Sequence, residues 1–281
     1  MREILAYYHE TREELRLQSG WGALELARTK ELIVRHLPAA PAMVLDVGGA
    51  GGVYSEWLGS LGYETHLVDP VPRHIEEALR CLHLASAHMG DARTLAHRNG
   101  RFDCVLLLGP LYHLTAREER LAALREAARV LRPGGVLFAA AISRYASLLD
   151  GLMTGCLDDA RFAAIVRHDL REGQHRNPTG DAHYFTTAYF HRPGELREEI
   201  VEAGYEPIEL AAVEGPAWLA RDFDVRWADP ARREGLIEAA RAVEHEPDLM
   251  GVSPHLLAAA RKPGAPACVR RDGSMTRHPG A

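Results

Sequence analysis

Lysine is nearly missing from this chain: of 281 residues only Lys30 and Lys262 are lysine, and arginine carries the rest of the basic charge. The 33 basic residues are outweighed by 39 acidic ones, a net charge of −6. Such a balance gives no electrostatic footprint for a nucleic-acid partner, and the arginines are spread along helices rather than interleaved with aromatics in a stripe. Cysteine is also scarce. The four cysteines (Cys81, Cys104, Cys156, Cys268) show no CxxC spacing, which excludes a zinc ribbon and a dithiol redox motif. No HExxH is present, and no metal site is expected. No apolar run approaches the roughly 20 residues of a membrane helix. The opening MREILAYYHETREEL is charged from its second residue and lacks the apolar core of a secretory leader. The expected location is the cytoplasm, with reduced thiols and no membrane partner.

What is present is an alternation of two periodicities. Residues 3 to 37 read as two helices broken at Ser19-Gly20 and ending before Pro38. Ala42 to Val47 is a short apolar run feeding a glycine cluster, as a buried strand would. A helix with Val53, Trp57, Leu58 and Leu61 follows, capped at Gly62, and a second strand covers 63 to 68. The spacing of Ile75, Ala78, Leu79 and Leu82 predicts one apolar helix face. Further strands are expected near 86 to 89, 102 to 109 and 135 to 143. Thr115 and Glu118 are spaced as a capping box ahead of a helix that Pro133-Gly134-Gly135 stops. Alternation lapses over 145 to 190, resumes with a helix at 194 to 203 and a strand at 206 to 213, and lapses again over 214 to 251 except for a helix at 231 to 245. Residues 255 to 261 suit a last strand. This order implies an α/β fold with a mostly parallel, doubly wound, Rossmann-like sheet over residues 38–261, with cap insertions at 145–190 and 214–251. A disordered tail is expected over 262–281.

The stretch VLDVGGAGG puts Asp46 at a strand end and Gly48, Gly49, Gly51 and Gly52 in the turn, where missing side chains let backbone approach a ligand. Asp69 ends the next strand, placed to accept hydrogen bonds from ribose hydroxyls. A nicotinamide-dependent oxidoreductase shares this logic. Against it, no register of the loop gives GxGxxG, and no Tyr-x-x-x-Lys pair exists. A non-catalytic binding protein built on the same fold is the other alternative.

The ordered series VLDVGGAGG, HLVDP, GDART, FDCVLLLGPLYHL and RVLRPGG, over residues 42 to 143, resembles the class I S-adenosylmethionine-dependent methyltransferases. ELREEIVEAGYEPIEL, residues 195 to 210, is similar to that family's later helix and strand. The resemblance implies S-adenosylmethionine as cofactor, a seven-stranded sheet whose last strand is antiparallel and inserted beside the sixth, and residues 1–37 as a helical lid. It implies that Asp46, Gly48, Gly49, Ala50 and Gly52 hold the methionine end, Asp69 the ribose, and Asp91 with the Ala92 backbone the adenine amine, with Leu108 also against the cofactor. The family's usual middle glycine is Ala50 here.

Methyl transfer from a sulfonium is an in-line displacement, so positioning and exclusion of water dominate. A base helps when the acceptor is a hydroxyl or a protonated amine. His113, just after the fourth strand, is the candidate, with structural packing as the alternative. The resemblance also implies that the tyrosines of the first helix, where Tyr7, Tyr8 and His9 sit, can face the sulfonium or the substrate, with half-buried packing as the alternative. Residues 173 to 193 combine His175, Arg176, His183, Tyr184, Phe185, Tyr189 and His191 in a polar-aromatic insertion that suits a cap over a small-molecule acceptor. Tyr8, Tyr112, Arg144, His175 and Tyr189 are the expected acceptor contacts, with a nitrogen or an oxygen as the methylated atom. Glu25 and Arg28 are spaced for an intrahelical pair.

Overall fold

The protein is described here by a computed structural model covering residues 3, 4, 7, 8 and 16–264. His9 and the tail from 265 onward lie outside the described residues. Glu3, Ile4, Tyr7 and Tyr8 are helical. Helix α1 (Gly20–His36) buries Leu24, Arg28, Leu32 and Ile33 along one face and stops at Leu37, which turns to extended backbone ahead of Pro38.

The sheet is built around β1 (Met43–Val47), which pairs in parallel with β2 (Glu64–Asp69) on one side and β4 (Phe102–Leu107) on the other. Beyond them lie β3 (Leu84–Met89) and β5 (Leu131–Ser143), both parallel. The last strand, β9 (His255–Arg261), runs antiparallel between β5 and β8 (Glu206–Ala212). The seven-stranded order is therefore β3-β2-β1-β4-β5-β9-β8, as the sequence motifs imply. Two short strands extend it: β6 (Gln174–His175) pairs with β7 (Ala188–His191), which pairs with the end of β5. Chain order reverses between β1 and β4. At such a switch point the connections leave to opposite faces and open a crevice beyond the strands' carboxyl ends.

Helices α2 (Val53–Ser60), α3 (Pro72–Ala78), α4 (Pro110–His113), α5 (Arg117–Val130) and α8 (Pro193–Glu202) connect these strands. Burial of Val105, Leu107, Leu124, Leu137 and Leu196 joins the sheet to the helices covering it. The first insertion forms α6 (Ala146–Thr154) and α7 (Ala160–Glu172); the second forms α9 (Phe223–Ala228) and α10 (Pro230–Ala242), which close against α1 through Leu24, Trp218 and Leu236.

Three local expectations are corrected. Helix α3 ends at Ala78, leaving Leu79 and Leu82 64% and 88% exposed, because the chain turns at once into β3. Helix α5 begins after Ala116 with no side-chain cap, since the Thr115 hydroxyl is turned to Arg176. Arg28 does not pair with Glu25. It bonds the Val213 carbonyl at 3.2 Å and the carboxylates of Glu31 and Glu244, while Glu25 takes both Nη atoms of Arg16 at 2.5 and 3.0 Å.

Candidate active site

Three connected chambers open along the carboxyl edge of the sheet. The turn after β1 shapes the first two. Gly48 has φ +71, and a Cβ there would lie 2.7 Å from the Pro110 ring; one on Gly49 would lie 2.6 Å from the Asp46 carboxyl. Glycine is thus required by space as well as by conformation. Ala50 stands in the left-handed region at φ +47, at a cost of about 1–2 kcal/mol, and its N–H is fixed on Asp69 Oδ2 at 3.0 Å. Gly52 caps α2, and its N–H goes to the Gly49 carbonyl, so it shapes the turn without lining a chamber.

The first chamber is walled by Ile4, Val71, Ala92 and Leu114, with Asp69 and Asp91 at its polar edge. Asp69 is a hub: Oδ1 accepts from the Val71 N–H and faces His74 Nδ1, both at 2.9 Å. Asp91 is gripped by the Arg93 guanidinium, which holds its carboxyl below the usual range. The second chamber lies on the other side of the glycine turn, bounded by Asp46, Tyr54, Leu108 and His255. Burial pushes the Asp46 carboxyl up to about 7, partly offset by the Ser55 hydroxyl at 2.8 Å. Among the described residues no cation sits beside it.

The third chamber, about 300 Å³, is walled by aromatic rings: Tyr7, Trp21, Phe162, Phe185, Phe190 and Trp218. Tyr112 lines all three chambers, Tyr8 the first and third, and Arg16 and His255 the second and third. These four side chains mark the junctions.

His113 sits on the first-chamber side and does not line the third. Its Nδ1 faces the Thr187 carbonyl at 3.4 Å and so must donate, leaving Nε2 to accept from the Tyr8 hydroxyl at 2.8 Å. Burial lowers its pKa to about 4, so the ring is neutral and both nitrogens are engaged. Three expected acceptor contacts are not brought to the third chamber. Arg144 is 3% exposed and locked on Glu195 and the Phe190 carbonyl. His175 is buried between Asp169 and the Tyr184 carbonyl, at 2.8 and 2.7 Å. Tyr189 stacks on the Arg120 guanidinium at 3.7 Å. Each belongs to the packing that carries the cap. Sequence reasoning missed Arg16, Tyr54, Ser55 and His255. His255 was findable: an antiparallel last strand begins at the edge where its parallel neighbours end, and this one begins with histidine.

Residues 45–139 match the family model described as "Methyltransferase domain". A ubiquinone biosynthesis O-methyltransferase of Azorhizobium caulinodans is 28% identical over 221 residues, 73% of this chain and 79% of that protein. The chain is an S-adenosylmethionine-dependent methyltransferase. Among solved structures, an S-adenosylmethionine-dependent methyltransferase from Methanosarcina mazei superposes with a TM-score of 0.57 at 17% identity, covering 83% of this chain and 98% of that one. The 1,6-didemethyltoxoflavin-N1-methyltransferase of Burkholderia thailandensis, solved with 1,6-didemethyltoxoflavin and S-adenosylhomocysteine, gives 0.55 at 16%, covering 93% and 86%. At these identities the two structures speak for the fold alone. The methyltransferase match sets the oxidoreductase reading aside. S-adenosylmethionine is the cofactor, and the two chambers beside the glycine turn fit it: one is apolar with acids at its edge, as a nucleoside needs, and the other holds a buried carboxyl lacking a cation, as an α-ammonium needs. Among the described residues no helix is long and apolar enough to cross a membrane.

Proposed function

We propose that this methyltransferase moves the methyl group to an oxygen of a small aromatic acceptor held in the third chamber. The observation that carries the reading is that chamber itself: its volume suits one small molecule, its walls are aromatic, and Tyr112 joins it to both cofactor chambers. The name of the Azorhizobium relative, an O-methyltransferase, supports oxygen as the methylated atom.

In this reading Asp46 receives the ammonium of the methionine end, with Gly48, Gly49 and Ala50 along its backbone and Leu108 against it. Asp69 has one oxygen with a single partner, Ala50 N–H, and accepts a ribose hydroxyl there. Asp91 and the Ala92 N–H meet the adenine edge. When bound, the cofactor supplies an electrophilic methyl group on a sulfonium. The chain's own work is to hold the acceptor in line and keep water out. Tyr8, held by His113, and Tyr112 form the wall between donor and acceptor. His113 positions Tyr8 rather than taking a proton, because neither ring nitrogen is available.

The test is transfer of labelled methyl from S-adenosylmethionine to a panel of phenols, catechols and aromatic amines. Labelled aryl ethers are expected, and transfer to amines alone overturns the reading.

A further inference from the structure

Glu214, Glu25 and His255 converge where the methionine chamber meets the acceptor chamber. Glu214 follows β8, Glu25 is on α1 and His255 opens β9. His255 Nδ1 lies 2.6 Å from Glu214 Oε1 and 3.6 Å from Glu25 Oε2. Glu214 is fully buried, and its second oxygen accepts from the Ser253 hydroxyl at 2.7 Å and the His255 N–H at 3.1 Å. Three donors on one buried carboxyl fix its position. Arg16 grips Glu25 with two Nη atoms and supplies the positive charge this pair of carboxylates would otherwise draw from a cation.

The consequence for the imidazole is a fixed tautomer. Its Nδ1 proton is committed to Glu214, so Nε2 carries the lone pair. The two nitrogens point to opposite sides of the ring, which directs Nε2 away from the carboxylates. No hydrogen bond from a described residue reaches Nε2, and the ring lines both chambers. His113 offers no such nitrogen.

We propose that His255, oriented by Glu214, is the general base that takes the proton of an acceptor hydroxyl, and that this dyad fits the site to phenols. The inference rests on the oxygen-methylation reading above. The acceptor oxygen gives an electron pair to the methyl carbon as the carbon–sulfur bond breaks and its pair stays on sulfur, while the hydroxyl proton passes to His255 Nε2. Charge balances, since the sulfonium's positive charge ends on the imidazolium beside Glu214.

The charged groups facing His255 are Glu214, Glu25 and Arg16. Burial lowers its pKa and Arg16 adds to that, but the two carboxylates outweigh both and hold it above the ordinary histidine value. A stronger base that is more often protonated near neutrality makes the rate climb with pH through this raised value and flatten above it.

The test compares wild type with His255→Gln and Glu214→Gln on two probes: catechol, and 4-nitrocatechol, whose acidic hydroxyl ionises without help. His255→Gln is expected to lower kcat on catechol by roughly 100-fold or more but on 4-nitrocatechol by less than about 10-fold, with affinity for S-adenosylhomocysteine reduced far less than kcat on catechol. Glu214→Gln should fall between and shift the acid limb of the pH profile downward. A second readout needs no turnover: in complex with S-adenosylhomocysteine, bound 4-nitrocatechol should show its phenolate absorption at lower pH in wild type than in His255→Gln. Equal losses on both probes, with identical absorption titrations, overturn the dyad and leave His255 as packing. Wild type that methylates an aromatic amine but neither binds nor methylates the catechols overturns the oxygen reading, and the dyad with it.

Discussion

At the scale of single residues, the proposed contact between Asp46 and the cofactor's ammonium carries a pH dependence. Its carboxyl is pushed up to about 7 by burial, so near neutrality it is half protonated in the ligand-free protein. An ammonium placed beside it favours the ionised form, and binding therefore releases a proton below about pH 7. Affinity for S-adenosylhomocysteine should rise as pH climbs to about 7 and then level, which calorimetry across pH 5.5 to 8.5 measures. Asp46→Asn should remove that slope and weaken binding roughly tenfold or more, as expected for a hydrogen bond to a charged group. In the ligand-free protein the folded state keeps a proton that the unfolded chain has lost. This group's contribution to stability thus falls as pH rises from about 4 to about 7. The sequence showed Asp46, Asp69 and the glycines because spacing along one turn is a local property. It did not show which way histidines turn. His175 and His113 are spent on Asp169 and Tyr8, whereas His255 keeps a nitrogen for the cavity; Asp169 is near His175 in the chain, but Tyr8 and Glu214 lie on elements far from the histidines they meet.

At the scale of elements, the cap is held by strain as well as by packing. Phe185, between β6 and β7, stands at φ +63 and ψ −174, a conformation that costs a non-glycine residue about 1–3 kcal/mol. Asn177 fixes it there, its amide donating to the Asp181 and Phe185 carbonyls at 2.7 and 2.8 Å. This holds the Phe185 ring on the acceptor chamber between Tyr7 and His113. Asn177→Ala should let the loop relax, raising KM for the acceptor several-fold while leaving S-adenosylhomocysteine affinity unchanged; steady-state kinetics beside calorimetry would show the split. Equal loss of both affinities would mean that the loop supports the whole site. Apart from the end of α3 and the single turn α4, the strands and helices up to β5 were legible from periodicity, because each buries its own face. The long helix of the second insertion was legible as a helix too. The cap's role was not, since Arg144 and Tyr189 look like pocket residues until Glu195 and Arg120 are seen to claim them.

At the scale of the molecule, the chambers draw walls from distant parts of the chain: Tyr8 from the N-terminal helix, Tyr112 from α4, Phe185 from the first insertion and His255 from the last strand. A ligand spanning them should tie these parts together. S-adenosylhomocysteine at 100 times its Kd is expected to add about 2.7 kcal/mol of stability and raise the melting temperature by several degrees. NADH at the same concentration should leave the melting curve where it was. Thermal unfolding followed by circular dichroism decides this, and a shift with NADH alone would contradict the cofactor assignment.

The antiparallel strand β9 sets an order in time. Residues lining the first chamber end at Leu114, and they leave the ribosome well before β9 can join the sheet. His255 belongs to the strand that joins β8 to the rest of the sheet, so it emerges after nearly everything it serves. A nascent chain thus carries the walls for its nucleotide long before it carries the group that would deprotonate an acceptor.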